Sequence, residues 1–160
     1  MPKSILDHAA VCAPATARGT DNELGTLPGW NLDDLYPGRD SAEFKADLAA
    51  ARTGAQEFET RWKGRLAEAA KNSGNDGLGA AVEAYEKLEE LLGRIISYAG
   101  LSYFTNTTDP AIAKFYGDVQ SEMTDTSAHL LFFALELNRI DDALIEDSLK
   151  RDPRAARYTP

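Results

Sequence analysis

The stretch Ser127-Ala-His-Leu-Leu-Phe-Phe-Ala-Leu-Glu-Leu-Asn138 is apolar at every position from 130 to 137 except Glu136. A helix with one face in water needs fewer apolar side chains, so we expect protein on more than one side of this segment. His129 and Glu136 cannot hold one metal ion, because seven helical residues separate them by roughly 10 Å. The run is also too short to cross a bilayer, which takes about 20 apolar residues. The stretch therefore predicts an enclosed helix.

Apolar residues recur every three or four positions in three long segments around and before this stretch, which predicts amphipathic helices. The segments are 44–62, 78–102 and 112–137. We expect Asp40 to cap the first helix, with Glu43 completing a capping motif, and Asp109 followed by Pro110 to start the third. Short connections between long helices indicate antiparallel neighbours.

A shorter fourth helix is expected after Asp141 or Asp142, and Asp152 followed by Pro153 signals another start near the chain end. Trp30 to Pro37 forms an expected arm that needs a surface to pack on. Residues 1–29 are expected to be a flexible tail. The predicted fold is all-α: an antiparallel bundle of three long helices plus a shorter fourth, with an extended N-terminal arm and one domain over 30–160.

The composition limits the kinds of partner. The 160-residue chain carries a net charge of -9, which argues against nucleic acid and anionic membrane surfaces. Its one cysteine, Cys12, excludes an intrachain disulfide. Asp7 and His8 interrupt any apolar signal-peptide core, so we expect a cytoplasmic protein.

Candidate chemical groups are few. His8 and His129 are the two histidines. A ligand set of Asp7, His8 and Cys12 has helical spacing but lacks a rigid frame. His129 is expected at the margin of the core, with a ligand or general-base role as the alternative. Glu136 is expected to face water or pair with Arg139. The sequence predicts no catalytic, cofactor-binding or metal-binding residue in this chain.

The predicted helices have more apolar residues than a three-helix bundle can cover, which indicates a contact with something outside this chain. Gly93 and Gly100 would let another backbone approach, although tolerated helix glycines are equally consistent with the pattern. The residues expected to form this external contact are Leu91, Ile96, Tyr98, Leu101, Tyr103, Phe104, Leu131, Phe132 and Leu135.

Three stretches in succession carry a family resemblance. They are Trp30-x-Leu-x-x-Leu-Tyr-Pro37, Thr107-Thr-Asp-Pro110 at a helix start, and the run from Leu130 to Asp142. Together they resemble the N-terminal region of the oligoendopeptidase F family of zinc metallopeptidases, relatives of thimet oligopeptidase, over about residues 30–158. None of the three is a catalytic signature, and the family's His-Glu-x-x-His motif is missing here.

The resemblance implies a non-catalytic N-terminal helical domain that docks on a catalytic domain, walls the substrate cavity and restricts access to short peptides. Zinc would then belong to the missing catalytic domain. The alternative is a free-standing interaction module whose apolar stripe receives a partner helix. Self-association through the same face is a further expectation.

Overall fold

The computed structural model describes residues 30–158, and all of their regular secondary structure is helical. The all-α class is therefore confirmed. The helices are α1 (Ala42–Trp62), α2 (Leu66–Ala69), α3 (Leu78–Thr105), α4 (Pro110–Ala128), α5 (Leu131–Leu137), α6 (Asp142–Arg151) and α7 (Pro153–Ala156), and a 3-10 turn covers Gly74–Asp76. The expected flexible tail, residues 1–29, lies outside the described residues.

Helix starts follow local capping chemistry. Asp109, Asp141 and Asp152 each accept a hydrogen bond from a backbone N–H in the first turn of α4, α6 and α7. The predicted caps Asp109 and Asp152 are confirmed, and of the alternatives Asp141 and Asp142 the cap is Asp141. The expectation for Asp40 is wrong, because Ser41 is the cap of α1 and its hydroxyl accepts from the N–H of Phe44.

Aromatic pairs fix the relative direction of α1 and α3. Near the start of α1, Phe44 contacts Tyr98, with ring centroids 5.6 Å apart. Near its end, Phe58 contacts Tyr85, earlier in α3, at 6.0 Å. The two helices therefore run in opposite directions, and the core lies between them and α4.

The arm before α1 packs against the core through Tyr36, which is 2% exposed. Its hydroxyl donates a 2.8 Å hydrogen bond to Oδ2 of Asp47, and Asp47 also pairs with Arg94 on α3. Burial, and then the bond to Asp47, raise the pKa of Tyr36 to about 12. The arm is thus held to both α1 and α3.

The third predicted helix, 112–137, is two helices rather than one. α4 ends at Ala128 and α5 begins at Leu131, with 3-10-type backbone bonds through His129 and Leu130. Phe132 and Phe133 are both buried after this break. Adjacent residues on a helix point about 100° apart, so burying both requires a wide buried arc on α5. The described chain does not enclose this helix as predicted, because Leu131 and Leu135 on its other face are exposed.

Two glycines at the start of α3 sit against the C-terminal helices. A β-carbon at Gly79 would lie 2.4 Å from the backbone nitrogen of Ala155 on α7, and one at Gly77 would lie 2.5 Å from Oδ2 of Asp152. Only glycine permits these approaches. α7 is thereby seated directly on α3.

Candidate docking surface

An open groove of about 520 Å³ lies between α3, α4 and the first residue of α5. We call it the α3/α4 groove. Ile96 comes from α3 and Leu131 from α5, and α4 supplies the remaining wall. Its lining residues are Ile96, Gln120, Met123, Thr124, Ser127, Ala128 and Leu131.

Helical spacing explains the α4 wall of the groove. One side of α4 forms this wall, because its residues recur at spacings of three or four. They are Gln120, Met123, Thr124 and Ser127. Met123 is buried and Ile96 is half-buried. The floor is therefore apolar, and the wall carries small uncharged polar groups.

The apolar surface continues from the groove onto α5. Leu131 is 66% exposed, and Leu135, one turn later, is 61% exposed. Residues four apart lie on the same helix face, so the two leucines form one exposed apolar strip. The two exposed leucines therefore extend the apolar surface of the groove along α5.

On the α3 side of this surface, Gly93 has no side chain and has free space beside it. A β-carbon there would meet no other part of the described chain within 4 Å. Gly93 lies three residues before Ile96, on the same side of α3. Gly100 differs, because a β-carbon there would make ordinary contacts with Tyr116 and Phe104. A second backbone has room at Gly93.

Two of the residues expected in an interdomain contact are instead part of the core. Tyr98 is buried, because Tyr36 of the arm lies edge-on to it with centroids 5.1 Å apart and Phe44 covers it as well. Phe132 is buried against Phe58, at 5.6 Å. The chain covers both side chains itself, so their assignment to an external contact is wrong.

The other expected contact residues occupy several places. Ile96 and Leu131 share the α3/α4 groove, and Leu135 extends it. Tyr103 stacks on Tyr116 at 5.2 Å, while its neighbour Phe104 is 70% exposed. Leu91 and Leu101 are half-buried.

The sequence did not predict the α4 side of the groove, because polar residues give no apolar periodicity. The residues concerned are Gln120, Thr124 and Ser127.

The polar residues flagged in the sequence have structural partners. Nδ1 of His129 lies 2.5 Å from Oε2 of Glu59 on α1. Hydrogen bonds from Lys63 and then from His129 lower the pKa of Glu59. Glu136 accepts a 2.7 Å hydrogen bond from the backbone N–H of Gly64. Glu136 is half-buried, which agrees with the expected position at the rim of the core, but its hydrogen-bond donor is this backbone N–H rather than Arg139.

The described residues do not fit a zinc centre. Within 30–158, no three His, Cys, Asp or Glu side chains converge as a metal would need. His129 is engaged by a single carboxylate, that of Glu59. The alternative ligand set of Asp7, His8 and Cys12 lies outside the described residues.

Acidic residues are frequent on α3 in the turns before Gly93. Four glutamates lie between positions 83 and 90 on α3, and the one lysine there, Lys87, contacts Glu83 at 3.3 Å. Glu89 is exposed and lies one turn before Gly93. In contrast, the α4 wall of the groove has no charged lining residue.

Across the part of the chain that the structure describes, no helix combines the length and apolarity needed to cross a membrane. Comparison with known proteins yields no matching family model, no matching curated protein and no matching solved structure.

Proposed function

We propose that this chain is the N-terminal, non-catalytic helical domain of an oligoendopeptidase F-like zinc metallopeptidase that hydrolyses short peptides. Its role is to dock on the catalytic domain and to form a wall of the substrate cavity. The α3/α4 groove and the exposed leucines of α5 are the docking face. The protein is also proposed to be cytoplasmic.

The observation that carries this proposal is the uncovered apolar surface formed by Ile96, Leu131 and Leu135. Burying apolar surface contributes roughly 25 cal/mol per Å², so an exposed apolar groove favours a permanent partner. The residues of the resemblance give independent support, since Leu130 to Asp142 includes both exposed leucines of α5.

The architecture proposed for this domain is an antiparallel bundle of α1, α3 and α4, with α6 as the shorter fourth helix. The opposite directions of α1 and α3 support it, as does the stacking of Tyr103 on Tyr116 across the α3–α4 turn. In this arrangement the groove lies on the outside of the bundle, where a catalytic domain has access.

A gene-level experiment tests the proposal. The reading frame is sequenced past the codon for Pro160, and the full product is assayed for zinc and for cleavage of an internally quenched peptide. A frame that continues for about 400 residues with a His-Glu-x-x-His motif, and a product with EDTA-sensitive activity, supports the proposal. A stop codon close to Pro160 would refute it.

The free-standing interaction module is the second candidate. The open position at Gly93 favours it, because a partner helix has room to cross there. The reading-frame result separates the two candidates, since a module needs no catalytic domain. An assay of the 160-residue chain alone tests both candidates together, because zinc binding with peptide cleavage by that chain would contradict both.

A further inference from the structure

We propose that the occupant of the α3/α4 groove is an amphipathic helix with an apolar stripe and basic residues at the end that meets Glu89. The inference rests on the proposed docking role and specifies the chemistry of the partner. The partner helix lies along α3 and crosses it closest at Gly93.

Shape is the first argument for a helix. The groove is formed between two long helices, and its wall residues Thr124, Ser127 and Ala128 are small. Gly93 has no β-carbon, and a β-carbon added there would meet no other part of the described chain within 4 Å. Small residues at a helix surface permit close approach of a second helix. Leu131 and Leu135 then cover the apolar stripe of the partner from one side.

Charge is the second argument, and it selects the partner. The chain has a net charge of -9, so two copies of it repel one another. A second copy is therefore disfavoured. Near the groove, Glu89 is exposed one turn before Gly93, and Glu90 is exposed beside it. Lysine or arginine on the partner complements these carboxylates and orients the helix along α3.

The probe for this inference is a Leu/Lys amphipathic peptide of about 18 residues, long enough for five helical turns. A Leu/Glu peptide of the same pattern is its charge-reversed counterpart. Binding to the 160-residue chain is measured by fluorescence anisotropy, and the site is located by amide shift changes of Gly93, Thr124 and Leu131. We expect the basic peptide to bind there and the acidic peptide to bind at least about tenfold more weakly.

Gly93→Leu is the decisive variant. It fills an open position and replaces glycine by a better helix former, so the fold is retained. It should weaken binding of the basic peptide by at least about tenfold, because its side chain occupies the crossing point. Ala49→Leu, at an exposed position of α1, is the matched control and should leave binding unchanged. Circular dichroism of both variants confirms the fold.

Glu89→Gln tests the charge argument separately. Removing one exposed charge should weaken binding by about two- to fivefold and reduce its salt dependence. Equal binding of the two peptides, or basic-peptide binding that Gly93→Leu leaves intact, would overturn the inference. Dimerisation of the chain that Gly93→Leu abolishes would also overturn it, by identifying a second copy as the occupant.

Different experimental results would refute the proposed peptidase role and the proposed helix in the groove. Peptide binding at the groove combined with a stop codon after Pro160 removes the peptidase role and keeps the groove specificity. A continuing reading frame with an active zinc peptidase, combined with no binding at Gly93, keeps the peptidase role and removes the helix in the groove.

Discussion

The backbone N–H of Gly64 donates a 2.7 Å hydrogen bond to Oε1 of Glu136, 72 residues further along the chain. Gly64 has a φ of 75° and follows the end of α1, whereas Glu136 is on α5. The bond therefore joins the end of α1 to α5. It gives a structural role to the one carboxylate in the apolar run.

Glu136→Ala is expected to reduce the free energy of unfolding by about 1 to 2 kcal/mol, since it removes a charged acceptor from a backbone donor. Glu136→Gln keeps an acceptor oxygen and should cost less. Urea denaturation of the two variants checks this order. Equal losses, or no loss in either variant, would show that the bond does not stabilise the fold.

Gly79→Ala should destabilise the chain by about 1 to 3 kcal/mol, because its β-carbon would lie 2.4 Å from the backbone nitrogen of Ala155. Gly93→Ala, in the same helix but in open space, should be stabilising by up to about 1 kcal/mol. Thermal melts of the pair provide the comparison. Similar effects at both positions would contradict the close seating of α7 on α3.

Phe133→Ala is expected to cost about 3 to 5 kcal/mol. Phe133 is buried and stacks on Tyr85 with centroids 4.4 Å apart. Phe132→Ala should have a cost of the same order even in the isolated chain, because Phe132 is buried against Phe58. Leu135→Ala is the exposed control and should stay within about 0.5 kcal/mol. An unchanged urea midpoint for Phe133→Ala would refute its place in the core.

The raised pKa of Tyr36 predicts alkaline sensitivity. The folded value of about 12 exceeds the ordinary value of about 10, so folding favours the protonated hydroxyl. Its stabilising contribution is complete below pH 10 and is lost as the pH rises towards 12. Tyr36→Phe should therefore show a smaller loss of stability over this range than the original chain. Denaturation midpoints measured from pH 9 to 12 test the difference, and parallel curves would contradict it.

Replacing Leu131 and Leu135 together by serine should lower the fluorescence of a bound hydrophobic dye by at least about half, because both side chains are largely exposed. Stability should change little, since exposed substitutions usually stay within about 0.5 kcal/mol. Leu66→Ser, at a fully buried position, provides the contrast because it should unfold the chain. Unchanged dye fluorescence in the double variant would place the dye elsewhere.

Features set by neighbouring residues were predictable from the sequence. Asp109, Asp141 and Asp152 cap their helices through the N–H two residues later, and such bonds depend on local spacing. The start of α1 was harder, because Asp40 and Ser41 are both good caps and stand side by side. The enclosure expected for α5 is not seen within the described chain, because Phe132 and Phe133 are buried while Leu131 and Leu135 are exposed.

Features that depend on distant residues were not predictable. Tyr98 has the spacing of an uncovered side chain on α3, and its cover, Tyr36, comes from an arm with no periodicity. The break at His129 likewise has no glycine or proline to signal it. For Tyr98 the decisive contact comes from an element that is remote in sequence, so pattern alone does not reveal it.

Within α5, buried phenylalanines and exposed leucines alternate over barely one turn. Phe132 and Phe133 belong to the core, while Leu131 and Leu135 do not. Selection for a new partner can therefore act on the leucines without loss of the folded state. A library randomised at these two positions should remain largely folded while its members differ in what they recognise, which makes α5 a natural starting point for altering specificity.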